Sequence, residues 1–170
     1  MVLIAGRPYH VDPLINHGLP DYIASLGVSV VTEDSVMQLA PEPGKLRVVN
    51  QWAYHSRLYR AAALAATEPC VELIHLTNFG CGIDAITSDQ VAEILQRSGK
   101  LYTLLKIDEG DSLGPAKIRI ASLLATVEER KAGRGMPKAD ESDETPAKAP
   151  AKPAVFVRSM RETHTILAPQ

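Results

Sequence analysis

Short apolar runs and helical stripes alternate along the first 131 residues. Val2-Leu3-Ile4-Ala5 is an unbroken apolar run that stops at Gly6, the pattern of a strand buried on both faces. Leu19, Tyr22, Ile23 and Leu26 then fall on one face of a helix, with Pro20 suited to its first turn and Gly27 to its end. Val28–Thr32 reads as a second strand. Leu58, Ala61, Ala62 and Ala65 repeat the helical spacing, with Tyr54 one turn earlier. Val71–Thr77 is a third strand. Thr87 and Gln90 have capping-box spacing, and Ile86, Val91, Ile94 and Leu95 supply the apolar face of a helix that Gly99 stops. Leu101–Ile107 is a fourth strand. Pro115 opens a last helix with a stripe of Ile120, Ala121, Leu124 and Val127.

Strands alternating with helices need crossover connections, which implies parallel pairing. Right-handed crossovers then give an α/β fold: an open, doubly wound parallel sheet of about four strands in a flavodoxin- or Rossmann-like three-layer sandwich, in the order 2-1-3-4. Residues 132–154 are different. They are rich in Ala, Pro and charges of both signs and hold almost nothing to bury, so a flexible linker is expected. Apolar content returns at Val155-Phe156-Val157 and Thr163–Ala168. The expected organisation is an α/β domain over 1–131, a disordered linker over 132–154 and the truncated start of a following domain over 155–170.

The whole chain is 45% hydrophobic and 22% charged, with a net charge of −2, and this balance argues against a general nucleic-acid binder. No apolar run is long enough to span a bilayer, and the start lacks the basic and apolar regions of a secretory signal. Two cysteines, Cys70 and Cys81, make no disulfide framework and fit a reducing compartment. A cytoplasmic protein is expected, with no membrane partner.

In sheets of this kind ligands bind beyond the carboxyl ends of the strands, near the switch point between strands 1 and 3. Two unusual segments are expected there: Gly6-Arg7-Pro8-Tyr9-His10-Val11-Asp12-Pro13 and Asn78-Phe79-Gly80-Cys81-Gly82-Ile83-Asp84. Gly80 and Gly82 permit a positive φ and a close backbone approach to a ligand. Cys81 just before a helix favours the thiolate, which is a nucleophile and a soft metal ligand; the alternative is a small residue packed in a tight turn. His10 can be a proton shuttle, a ligand or a post that fixes its loop, and His17 can reach the same mouth. Arg7 can hold an anion or pair with Asp12 or Asp34. His75 reads as a satisfied core histidine, His55 as lying on the polar side of its helix, and Lys106, Asp108 and Glu109 as a solvated strand end. Cys70 belongs to the opposite end of the sheet. The spacing gives zinc little support, and no phosphate loop, dinucleotide fingerprint or serine nucleophile elbow is present.

Several ordered segments together resemble a known family. They are Gly6–His10 with Asp12-Pro13 and Ile15–Gly18; Asn78–Ala85 with Asp89-Gln90-Val91; Leu105–Glu109 with Leu113-Gly114 and Ile118-Arg119; and Met160 with Thr163–Gln170. The chain resembles an internal piece of the long anaerobic proteins related to 2-hydroxyacyl-CoA dehydratases and their activators. In these a CoA-substrate-specific activase module, an actin-like ATPase, is fused to dehydratase-like iron–sulfur regions. The resemblance covers residues 1–131 and resumes near 155.

It implies a role in ATP-driven, low-potential electron transfer through a [4Fe–4S] cluster, with ATP bound only on the separate activase module. It makes Cys81 the candidate cluster ligand. Arg7, His10, Asn78, Gly80 and Gly82 would line the cavity and contact the cofactor. A cuboidal cluster commonly takes four thiolates, so the other ligands must come from elsewhere in the parent. The fragment by itself is expected to hold no cluster and to be inactive. The implied partners are other domains of the same long chain and a CoA ester or another small molecule. Two readings from other classes stand beside this one: a metal-free α/β docking module, and a cysteine-nucleophile enzyme in which His10 activates Cys81.

Overall fold

In a computed structural model, which describes residues 1–78, 82–107 and 113–133, four short strands form one parallel sheet in the order β2-β1-β3-β4. The described residues all belong to the first of two compact units, Met1–Gly135. The linker expected over 132–154 lies outside the described residues from 134 onward, as does the whole of 155–170.

Strand β1 (Val2–Ala5) is buried at every position. A 3₁₀ turn over Pro8–Val11 and a single helical turn α1 (Pro13–Asn16) follow it. Helix α2 (Leu19–Ser25) leads to β2 (Val30–Thr32), and the short α3 (Glu33–Val36) follows at once. Helix α4 (Ala53–Thr67) returns the chain to β3 (Glu72–Thr77), which like β1 is buried at every position. Helix α5 (Gly82–Arg97), strand β4 (Thr103–Lys106) and helix α6 (Gly114–Lys131) complete the order. The sequence-derived strands 28–32, 71–77 and 101–107 contain the observed ones and overrun them by one or two residues at an end.

The two faces of the sheet carry separate cores because successive side chains of a strand point to opposite sides. Leu3, Ala5 and Leu73 pack against α4 and α5 through Leu58, Ala61, Ala62, Ala65, Val91 and Leu95. Val2, Ile4, Ile74 and Leu76 pack against α2 and α6 through Leu19, Ile23, Ile120 and Leu123. Central parallel strands covered on both sides read as continuous apolar runs, as β1 does.

Three helical details differ from the sequence pattern. Tyr54 and Ile86 are exposed, whereas His55 is buried on α4. Thr87 and Gln90 lie inside α5 and do not cap it: Thr87 donates its hydroxyl proton to the Ile83 carbonyl, and Gln90 Oε1 accepts the Arg47 amide at 2.7 Å. The α6 stripe includes Leu123, while Ala121 faces outward.

Candidate functional site

The order β2-β1-β3-β4 places the segments after β1 and β3 side by side, and charged groups converge where they meet. Gly6 ends β1 at a point with no room for a side chain. A Cβ there would stand 2.4 Å from His10 Nδ1 and 2.9 Å from the Leu76 carbonyl oxygen. The 3₁₀ turn folds the next residues back, so that the His10 ring lies against the chain it follows. Its Nδ1 accepts the Arg7 amide at 2.9 Å. The ring proton therefore sits on Nε2, which donates to Asn78 Oδ1 at the end of β3. His10 is 2% exposed. Burial lowers its pKa, and Arg7 adds to that, against the opposing effects of the Asn78 bond and Asp84.

His10 is thus a strut between the loop after β1 and the end of β3. Asn16 supports it from behind: its Nδ2 donates to the His10 carbonyl at 3.1 Å, and its Oδ1 accepts the Gly18 amide. Both His10 nitrogens are occupied, so a base for a thiol at this mouth needs the Arg7 or Asn78 bond to break first. His17 adopts a left-handed conformation at the end of α1, with φ 53°.

Arg7 pairs with Asp84, in the first turn of α5, at 2.5 Å. It pairs with neither Asp12 nor Asp34. Asp12 accepts the Leu14 amide and caps α1, and Asp34 pairs with Arg57. Strand order permits this pair, because Asp84 follows the neighbouring strand β3 and meets Arg7 across the switch point. A carboxylate there also complements the positive end of the α5 dipole. His55, on the first turn of α4, brings Nε2 to 3.9 Å from Asp84 Oδ1. The expectation that His55 lies on the polar side of its helix is overturned: it is 5% exposed, its ring lies 5.5 Å from that of Trp52, and neither nitrogen has a hydrogen-bond partner.

Glu33 is a further member that the sequence did not single out. It follows β2 directly and is 3% exposed. Its Oε1 lies 3.1 Å from Arg57 Nη2, it takes a bond from the Gly6 amide, and its Oε2 has no partner. Burial outweighs these contacts and pushes its carboxyl up to about 7. His75, on β3, is a satisfied core histidine, as its pattern implies: Nδ1 meets the Tyr102 hydroxyl at 3.0 Å.

Beside this cluster an open cleft of about 480 Å³ is lined by Asn78, Gly82, Asp84, Ser88, Asp89 and Lys106, among others. Of the residues expected at the mouth, Arg7, His10 and Asn78 come together. Gly82 lines the cleft but starts α5 in helical conformation, and its Cβ position is open, so neither a positive φ nor a close approach explains it. Phe79, Gly80 and Cys81 lie outside the described residues, as do Asp108 and Glu109. Cys70 is exposed and its carbonyl accepts from the amino group of Met1, at the far end of the sheet. Among the described residues no group of three or more His, Cys, Asp or Glu side chains is arranged to hold a metal ion, and no helix is long and apolar enough to cross a membrane.

The family model of the CoA enzyme activase uncharacterised domain (DUF2229) matches residues 1–36, the stretch that carries β1, the Gly6–His10 loop, α1, α2, β2 and Glu33. Neither a curated protein nor a solved structure matches the chain.

Proposed function

We propose that this chain is an α/β domain of a CoA-activase-type protein, and that in the longer parent it contributes Cys81 as one ligand of a [4Fe–4S] cluster. The parent's task is ATP-driven, low-potential electron transfer of the kind that serves 2-hydroxyacyl-CoA dehydratases, with ATP on a separate module. The observation that carries this reading is the match of residues 1–36 to the activase-domain family, because the matched segment supplies Gly6, Arg7 and His10 to the mouth. Asn78 and Gly82, which flank the 79–81 segment in the chain, both line the cleft, and this supports a role for Cys81 there.

The described residues do not by themselves make a cluster site. Cys70 is remote, both His10 nitrogens are occupied, and Arg7 and Asp84 form a salt pair. The remaining thiolates must therefore come from other domains of the parent. When bound, a cluster supplies one-electron chemistry. This chain's own residues fix the mouth: His10 ties the β1 loop to β3, and the Arg7–Asp84 pair ties that loop to α5.

The test is to produce the parent protein without oxygen, as wild type and as Cys81→Ala, and to measure iron per chain and visible charge-transfer absorbance. The expected result is that Cys81→Ala loses most of both while its far-ultraviolet circular dichroism is unchanged. Equal iron in the two proteins, or none in either, overturns the reading.

A metal-free docking module is the second reading, and one observation favours it. Large apolar side chains of the segments at the carboxyl ends of the strands are exposed: Tyr9, Val11, Leu14, Trp52, Tyr54 and Ile86, with Leu14 at 85%. Exposed apolar side chains gathered at one end of a domain suit a partner domain. Absence of iron from both proteins, with this end protected from hydrogen exchange in the parent, is the result this reading expects.

A further inference from the structure

Asp84 stands between two basic side chains and is bonded to one of them. Arg7 Nη2 lies 2.5 Å from Asp84 Oδ1, and His55 Nε2 lies 3.9 Å from the same oxygen. A neutral imidazole carries one N–H, and burying it without an acceptor is unfavourable. The protein satisfies its other buried histidines: His10 is bonded at both ring nitrogens and His75 is bonded to Tyr102. His55 alone among these three has no bond at either nitrogen. The 3.9 Å separation is about 1 Å longer than a hydrogen bond. Asp84 thus has an occupied seat on Arg7 and an unused one on His55.

We propose that the Arg7–Asp84–His55 cluster binds a small oxyanion, a carboxylate or phosphate-type head group, together with one proton. In the state described, the Arg7 cation and the Asp84 anion balance. An oxyanion arriving at Arg7 competes with Asp84 and adds negative charge where Asp84 is only 12% exposed and poorly screened. A proton from solvent on His55 restores the balance. The Arg7–Asp84 bond is exchanged for an Arg7–oxyanion bond and a His55–Asp84 bond, and nothing is oxidised or reduced. The Arg7 side chain is 21% exposed, so an anion reaches it from solvent, and Asp84 borders the open cleft into which its carboxylate can turn.

The charges acting on His55 come from two elements. Arg7, in the loop after β1, opposes its protonation, and Asp84, on α5, favours it. From α3, Glu33 is engaged with Arg57 and Gly6; from β3, His75 is neutral. This inference goes beyond the iron–sulfur reading and stands whether or not Cys81 holds iron.

The experiment uses the full 170-residue chain in a chloride buffer. Sulfate, whose charge is constant over this range, and acetate are titrated separately near pH 6 and pH 8, and the imidazole nitrogens are followed by NMR. Linkage requires that if protonation favours the anion, the anion favours protonation equally. We expect binding about threefold to fivefold tighter near pH 6 than near pH 8, with tenfold as the limit at lower pH, and a rise of about one pH unit in the His55 titration at saturating anion. Whichever anion shifts His55 more identifies the head group as phosphate-like or carboxylate. In His55→Gln the pH dependence of binding disappears. In Asp84→Asn sulfate binds more tightly near pH 8, because Arg7 has lost its competitor. The proposal is overturned if neither anion moves the His55 titration or if the pH dependence survives in His55→Gln. Should His55→Gln fail to fold, the wild-type His55 titration with and without anion still decides.

Discussion

Replacing Gly6 by alanine is expected to destabilise the domain by about 3–5 kcal/mol, a large share of the roughly 5–15 kcal/mol that holds an ordinary domain together. The added methyl meets His10 Nδ1 at 2.4 Å and the Leu76 carbonyl oxygen at 2.9 Å. Neither is the far end of a flexible side chain. The first is a ring held at both nitrogens, and the second is backbone of β3. Moving the ring breaks its bonds to Arg7 and Asn78 and leaves buried polar groups unpaired, at about 1–3 kcal/mol each. Overpacking adds about 1–3 kcal/mol. Urea denaturation of Gly6→Ala, His10→Ala and the double variant measures this. If the clash with His10 dominates, the alanine at position 6 costs much less once the imidazole is gone, and the two effects are far from additive. Additive effects would mean that the approach of Gly6 to His10 is not what limits position 6.

That the sheet order was legible and much of the mouth was not has a physical reason. β1 is buried on both faces and its sequence is an unbroken apolar run that stops at Gly6, whereas β3 sets Leu73, Ile74 and Leu76 among the buried polar residues Glu72, His75 and Thr77. Handedness then leaves few ways to arrange four strands. The strand order alone made the Arg7 and Asp84 loops neighbours, but which carboxylate Arg7 takes depends on the rotation of α5 and not on spacing. Glu33 was missed because its partners, the Gly6 amide and Arg57, are far away in the chain, and it reads locally as the first residue of a polar helix. The apolar stripe drawn through Tyr54, one turn before Leu58, puts His55 on the outer side of α4, whereas in the fold Tyr54 is exposed and His55 buried. The cluster it joins exists only after folding. The stripe on α5 was blurred by Thr87 and Gln90, two polar residues buried by their hydrogen bonds and not by hydrophobicity.

The dependence of stability on pH is expected to show two opposed limbs, each traceable to one buried group. His75 is lowered from 6.5 to about 4, with burial the largest cause. Between these values the unfolded chain binds a proton that the folded chain refuses. Stability therefore falls as pH is lowered from about 6.5 to about 4, by on the order of 3 kcal/mol in all. His10 and His55, lowered in the same direction by burial, add to this acid limb. Glu33 is raised from 4.5 to about 7. Between those values the folded chain keeps a proton that the unfolded chain has released, so stability falls as pH rises, again by on the order of 3 kcal/mol. Where the windows overlap, from about 4.5 to 6.5, the two largely cancel, and removing either group exposes the other. Urea denaturation of wild type, His75→Gln and Glu33→Gln at half-unit steps from about pH 4.5 to 8 checks both. Gln at position 75 retains a partner for Tyr102, and at position 33 an acceptor for the Gly6 amide. Relative to wild type, His75→Gln is expected to gain stability as pH is lowered from about 6.5 to 4.5. Glu33→Gln is expected to lose the decline toward pH 7, so that its stability relative to wild type grows by about 3 kcal/mol from pH 4.5 to 8. Three parallel curves would show that neither group changes its proton affinity on folding. If only the Glu33→Gln curve ran parallel to wild type, Glu33 would be an ordinary carboxylate held by Arg57.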